Sequence, residues 1–128
     1  MHGLPPYAAT LGIEPVEQDG ELLYRMKFAD VVLGRPGFLH GGAIAGLLEL
    51  AAIAALLREL GEPDTKVKPI NMSVSFMRGG TDRNTFAAAT VTRIGGRVAN
   101  VEAHAWQQDR ARPIAAAQLN LLVRRPTF

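Results

Sequence analysis

Apolar and polar residues alternate over residues 21–28, with Leu22, Tyr24, Met26 and Phe28 on one side and Glu21, Arg25 and Lys27 on the other. A period of two belongs to a half-buried strand. Asp19-Gly20 ahead of it is a tight-turn dipeptide, so residues 13–19 form the other arm of a hairpin, and Pro15 assigns that arm to a sheet edge. Pro5-Pro6 opens a short helix that runs to about residue 11, because proline fits a first helical turn.

The period then changes. Residues 43–57 are apolar almost without a break, and Glu49 is the one carboxylate among them. The run predicts a helix over residues 42–60, closed by Gly61 as C-cap. Gly46 lowers helical propensity by about 1 kcal/mol against alanine, and it would let a backbone or a ligand approach closely. Glycines and a proline at 34–37 mark a loop before the helix. After the helix the period of two returns. Ile70, Met72, Val74 and Phe76 alternate with Asn71, Ser73 and Ser75, and residues 85–94 and 98–107 flank the turn signal Gly95-Gly96. A last strand over 114–123 follows a connection at 109–112. The expected order is two short strands, one long apolar helix and four strands in a meander. A helix with so few polar positions must be wrapped, and a curved antiparallel sheet does this, so the fold class is α+β.

A chain of 128 residues forms one domain, here 1–128. Its 48% apolar and 20% charged content is that of a soluble globular protein. A formal charge of +2 with scattered basic residues gives nucleic acid no footprint, though a small anionic ligand would gain from it. With no cysteine there is no disulfide, thiolate nucleophile or cysteine metal site, and a cytoplasmic location is favoured. Residues 1–12 show no leader pattern. The 43–57 run is shorter than the about 20 residues that span a bilayer, so no membrane partner is expected. The three histidines, His2, His40 and His104, lie far apart without carboxylates at ligand spacing, so no metal is expected. No serine-hydrolase elbow, P-loop or dinucleotide glycine pattern occurs.

The chemistry gathers where the helix begins. His40-Gly41-Gly42 stands immediately before the apolar run. A first helical turn carries unpaired N–H groups and the positive end of the helix dipole, and a glycine presents such a group unobstructed. A carboxylate in an apolar helix is costly to bury ionised, so it is paired, protonated or functional. Together these features suggest acyl chemistry, with an electrophile activator and an acid that acts as nucleophile or general base. Glu49 lies eight residues past Gly41, about 12 Å along a helix axis. A second chain packing its helix antiparallel would close that gap, so the chemistry calls for a homodimer with two composite sites.

The element order, together with Gly37-Phe38-Leu39-His40-Gly41-Gly42 and an acid nine residues after the histidine, resembles a hotdog-fold acyl-CoA thioesterase. The similar branch is the phenylacetyl-CoA thioesterase-like (PaaI-type) group, with its Asn-x-x-Gly-x-x-His-Gly-Gly signature. The resemblance covers essentially the whole chain. It implies a single hotdog domain, a long central helix wrapped by a curved antiparallel sheet, and a homodimer compatible with a homotetramer. It also implies hydrolysis of an aryl- or medium-chain acyl-CoA without metal or redox cofactor, coenzyme A being part of the substrate. The Gly41 N–H becomes the oxyanion donor and Glu49 the catalytic acid, as nucleophile or as base for water. One departure stands out: the family's asparagine falls at Gly34.

Around these residues, His40 either fixes the loop or takes a direct catalytic part by bonding the thioester carbonyl or Glu49. Gly42, Phe38, Leu39 and Met72 are candidates to line the acyl site, Asn71 to hold water or a subunit contact, and Arg78 and Arg97 to meet the phosphates of coenzyme A. His104 shares a strand face with Asn100, Glu102 and Trp106, a surface or subunit-contact face, and His2 is uninformative. Two other classes remain open: an acyl-thioester dehydratase or hydratase, and a non-catalytic acyl-CoA-binding protein.

Overall fold

The structure, a computed structural model, describes residues 4–126; His2 lies outside them. Helix α1 (Pro6–Leu11) is followed by β1 (Ile13–Gln18) and β2 (Glu21–Met26). A 3-10 turn (Asp30–Val32) then leads into a small hairpin of β3 (Leu33–Arg35) and β4 (Phe38–Leu39). The long helix α2 (Gly41–Leu60) comes next, then β5 (Lys66–Phe76), β6 (Thr85–Ile94), β7 (Val98–Trp106) and β8 (Ala115–Arg124). Asp19 and Gly20 both take positive φ, 52° and 80°, the geometry of a two-residue hairpin turn. Gly61 caps α2 in the left-handed region at φ 63° and donates its N–H to the Leu57 carbonyl.

One antiparallel sheet holds six strands in the order β1-β2-β6-β7-β8-β5. The expected meander therefore extends only over β6, β7 and β8. Strand β5 crosses to the far edge and pairs with β8, from Lys66↔Arg124 to Phe76↔Ala115. The two strands that contain prolines, β1 with Pro15 and β5 with Pro69, are the two edges, where a missing N–H donor costs least. The β5–β8 register shifts between Pro69 and Asn71. Ile70 is the extra residue, 52% exposed, and does not share the inward face of Met72 and Val74 as simple alternation predicts.

The sheet's inner face is built mostly from small residues. Ala87, Ala99, Ala103, Ala105, Ala115 and Ala117 belong to the core, together with Val101, Leu119 and Leu121. Against them lie Leu47, Leu48, Ala51, Ala52 and Leu56 of α2, all fully buried. Alanine on the strands lets the helix axis come close, so leucines on the helix fill the space at native density. Gly46 serves the same end on the other side of α2: a Cβ there would stand 2.8 Å from Leu11 Cδ1. The close approach expected at Gly46 is made by the chain's own α1.

The outer face carries a second, smaller cluster of Leu23, Ala88 and Trp106, with Phe86 against it. Arg110 covers it, its guanidinium 4.5 Å from the Trp106 ring. Arg110 donates to both Glu21 carboxylate oxygens at 2.6 and 2.9 Å and, through Nε, to His104 Nε2 at 3.1 Å. The Arg110 hydrogen bond holds the Glu21 carboxyl below its ordinary value. Burial, and then the Arg110 charge, push His104 down as well. A lowered carboxyl pKa contributes stability that is complete above the ordinary value of 4.5 and is lost as pH falls through the lower folded value.

Arg110→Ala is therefore expected to destabilise the fold at pH 7 and much less at pH 3, as measured by urea melts at both pH values. Trp106, the only tryptophan, should shift its emission to the red in that variant at pH 7. Equal destabilisation at both pH values would remove the ion pair from the account.

Candidate active site at the start of the long helix

The loop before α2 is closed by three contacts. His40 N–H donates to the Val32 carbonyl at 2.8 Å, and Leu39 N–H donates to the Gly80 carbonyl at 2.9 Å. Gly34 lies against the backbone of His40: a Cβ at position 34 would stand 3.0 Å from His40 Cα. Position 34, where the signature places asparagine, thus adjoins the histidine, and glycine there serves close packing of loop on loop.

His40 is the N-cap of α2, with extended backbone at φ −70° and ψ 133°. Its Nδ1 accepts the Gly42 N–H at 2.8 Å. An N–H can only donate, so Nδ1 is unprotonated and the imidazole proton sits on Nε2. Glycine at 42 is a steric requirement of this cap, since a Cβ would approach His40 Nδ1 to 2.9 Å. Ala43 and Ile44 donate to the His40 carbonyl at 3.0 and 3.2 Å. Of the first-turn donors, the Gly41 N–H alone has no acceptor among the described residues. The cap thus distinguishes the two glycines: Gly42 is committed to His40, and Gly41 keeps a free donor at the positive end of α2.

Glu49 lies two turns further on. It is half-buried, on the stripe of α2 that includes Gly42, Ala45 and Ile53, none of which the chain fully covers. Its expected burial is therefore incomplete. Ion pairs among the described residues join Glu14, Glu21 and Glu62 to arginine or lysine, and none involves Glu49. The chain holds Glu49 and the Gly41 N–H on one helix, about 12 Å apart along its axis.

The other candidates divide by position. Arg78 follows β5 at the Gly41 end, but its guanidinium donates to the Pro113 carbonyl at 2.9 Å. Phe38, 37% exposed, also lies there, its ring against Gly79 and under Arg35 at 4.5 Å. Leu39 is core: it is buried beneath Gly80, where a Cβ would meet its Cδ1 at 2.8 Å. Met72 packs on the core four residues before Phe76. Asn71 turns to the outer face and accepts from Asn120, which in turn accepts from Asn100, so within the chain it does not join Gly41. Arg97 stands at the opposite end, where its carbonyl accepts from Val123 N–H and Val123 pairs with Val67. From Val67 to Phe76, beside Gly41, is about 30 Å of strand. His104, on the outer face as the alternation indicates, stacks on Trp106 at 5.0 Å.

Sequence reasoning passed over Phe76 as one more inward residue of β5. Its ring tip lies at Gly41: a Cβ on that glycine would stand 3.4 Å from Phe76 Cζ and 3.5 Å from Cε1. Phe76 is nevertheless 56% exposed. No local signal places it there, because the contact depends on β5 crossing to the far edge of the sheet.

His40→Ala should cost about 1 kcal/mol of stability, the usual worth of an N-cap, and His40→Asn, which restores a short capping acceptor, should recover most of it in thermal melts. Gly42→Ala should be destabilising despite alanine's better helix propensity. A Gly42→Ala variant more stable than wild type would contradict the cap geometry.

Comparison with known proteins agrees with this picture. Residues 36–114 match the family model of the thioesterase superfamily. A Chromobacterium violaceum protein of known structure is 32% identical, covering 95% of this chain and 85% of its own, with a TM-score of 0.76. A conserved Pseudomonas aeruginosa protein is 26% identical over 94% of both chains at TM-score 0.84. A Bacillus halodurans protein, crystallised with CoA, shares the fold at 21% identity and TM-score 0.84, covering 94% of this chain and 80% of its own. No curated protein matches. The family match takes in the His40-Gly41-Gly42 start and the whole of α2, and on that ground the chain is a hotdog-fold member of the thioesterase superfamily, a thioester hydrolase.

Proposed function

We propose that this protein hydrolyses acyl-CoA thioesters at two sites shared across a homodimer, with the Gly41 N–H of one chain and Glu49 of the other at each site. The observation that carries the reading is the free Gly41 N–H, left by a cap that consumes its neighbour's donor. The thioester oxygen accepts this hydrogen bond, and its charge grows as the carbonyl becomes tetrahedral, where a preoriented donor counts most. Glu49 acts by one of two routes. As a base it takes a proton from water, the hydroxide oxygen bonds the acyl carbon, and collapse expels the CoA thiolate, which recovers the proton. As a nucleophile its oxygen bonds the acyl carbon and expels the thiolate, and water then cleaves the resulting anhydride. His40, with its proton on Nε2, presents a second donor beside the helix start. Phe38 and Met72 shape the acyl end, Leu39 and Gly42 support it from the core and the cap, and Arg78 of one chain and Arg97 of the other meet coenzyme A.

A dimer is supported by the edge strand. β5 is eleven residues long and, among the described residues, has no neighbour on one side, and Ile70 and Met77 are 52% and 49% exposed on it and just past its end. An unpaired edge of this length is a template for another strand. Antiparallel pairing of β5 with its copy about a twofold axis continues the sheet and sets the two α2 helices side by side in opposite directions. Each Glu49 then moves toward the other chain's Gly41, and each Arg97 toward the other chain's Phe76 end. A dimer of dimers would extend the same arrangement.

Thiol release from a panel of acyl-CoA esters should fall by about 10²–10⁴ in Glu49→Ala, the usual worth of a general base. Gly41→Pro should lower it by about 10²–10³, since it deletes the donor while proline fits the first helical position. Mixing the two inactive variants should restore activity, because a mixed dimer holds one intact composite site. Mixed dimers that stay silent while each variant remains folded would place both groups of a site on the same chain and overturn the shared arrangement. Gly34 in the signature's asparagine position favours a second reading, a non-catalytic acyl-CoA binder. Wild-type protein that binds the esters and releases no thiol would establish it.

A further inference from the structure

Residues 77–84 connect β5 to β6, and they meet the loop before α2 at two places. Gly79 packs on the Phe38 ring, where a Cβ would stand 3.2 Å away. The Gly80 carbonyl accepts the Leu39 N–H at 2.9 Å, and a Cβ on this buried glycine would stand 2.8 Å from Leu39 Cδ1. Leu39 immediately precedes His40, whose Nδ1 and carbonyl hold Gly42, Ala43 and Ile44 and leave the Gly41 N–H over. The direction of that N–H therefore depends on where residues 79 and 80 lie.

Two adjacent glycines have little conformational preference of their own, and what fixes them comes from the other side of the connection. Gln107, the first residue after β7, pairs with Thr81 as a strand residue would. Thr81 N–H donates to Gln107 Oε1 at 3.0 Å, and Gln107 Nε2 donates to the Thr81 carbonyl at 3.0 Å. Nε2 also donates to the Arg83 carbonyl at 3.3 Å and to Thr85 Oγ1 at 3.1 Å. One side-chain amide thus commits its acceptor and both its donor hydrogens here, and among the described residues no other side chain bonds the backbone of residues 79–83. Arg78 is held differently: its N–H donates to the Ile114 carbonyl at 3.3 Å and its guanidinium to the Pro113 carbonyl at 2.9 Å. Loss of the Gln107 amide would leave the Arg78 part of the connection anchored and free the part that meets Leu39. We infer that Gln107 is a positioning residue for the oxyanion donor: through Thr81 and Gly80 it fixes Leu39 and His40, and so aims the Gly41 N–H, without touching substrate. This rests on the thioester reading above. A donor displaced by about 1 Å loses much of its effect on the transition state and little of its effect on substrate binding.

The measurement is kcat and KM on the best acyl-CoA ester of the panel for wild type, Gln107→Ala and Gln107→Glu, well below their melting temperatures, with amide hydrogen exchange of each followed by NMR. In Gln107→Ala, kcat should fall about ten- to hundredfold while KM stays within about twofold. The Leu39 and Gly42 amides should exchange faster in that variant, and those in the middle of α2 should keep their protection. Gln107→Glu retains the shape and the acceptor but sets a carboxylate against the Thr81 and Arg83 carbonyls, which push its pKa upward. Protonation restores a donor, so its kcat relative to wild type should recover as pH is lowered from about 8 to about 5. A Gln107→Ala variant that melts lower yet keeps its kcat would give the residue a structural role and overturn the inference. A loss carried by KM alone, or Leu39 and Gly42 amides that exchange as in wild type, would overturn it too. Wild type that releases thiol from no ester would instead remove the hydrolysis reading, and the exchange rates would then decide by themselves whether Gln107 fixes the helix start.

Discussion

Helix α2 has twenty residues, and nearly every face of it is apolar. Such a helix cannot rest on a surface with one side wet; most of its circumference must be covered. The chain meets that demand with a six-stranded sheet on one side and α1 across Gly46 on the other. Alanines line the sheet's inner face, which lets the helix approach closely and the strands curve about it. β5 supplies the last strand of coverage by crossing to the far edge of β8. What remains open is the stripe through Gly42, Ala45, Glu49 and Ile53. The position of Glu49 is thus a consequence of how the helix is buried: the stripe that the chain leaves partly open is the one that bears the carboxylate.

The same helix must begin somewhere, and its beginning creates the other half of the candidate site. Unpaired N–H groups at a helix start need acceptors. His40 supplies one through Nδ1 and another through its carbonyl, and the first donor, on Gly41, is left over. Gly42 has no side chain because the cap needs the space, and Gly34 has none because the loop closes on the histidine. Three glycines that share a composition signal therefore do three different jobs. The arrangement also decides the histidine's tautomer, since accepting at Nδ1 requires the proton on Nε2.

The outer face of the sheet follows a different logic. Trp106 lies outside the main core, packed with Leu23, Ala88, Phe86 and His104, and Arg110, tied to both Glu21 and His104, folds down over it. This clasp joins the start of β2 to the connection between β7 and β8, segments far apart in sequence, and stiffens the sheet from the side away from the helix start.

The amino-acid sequence by itself determined the local elements and the identity of the chemical groups. The period-two runs, the apolar run over 43–57, the turn dipeptides Asp19-Gly20 and Gly95-Gly96 and the cap at Gly61 are short-range signals, each read from neighbours within a few residues. They placed α1, α2, β1, β2, β6, β7 and β8 within a residue or two and set the spacing of His40, Gly41 and Glu49, but they started β5 four residues late and read the β3–β4 hairpin as a loop. The tertiary structure decided everything that depends on strand order. Local alternation cannot say which edge β5 joins, so the meander gave way to a crossover, Ile70 became a bulge and Phe76 arrived at Gly41. Leu39 went into the core, Asn71 to the outer face and Arg97 to the far end for the same reason. Residue type and spacing are properties of the chain's first few ångströms, whereas what a side chain touches is set by contacts between segments that the linear pattern does not order.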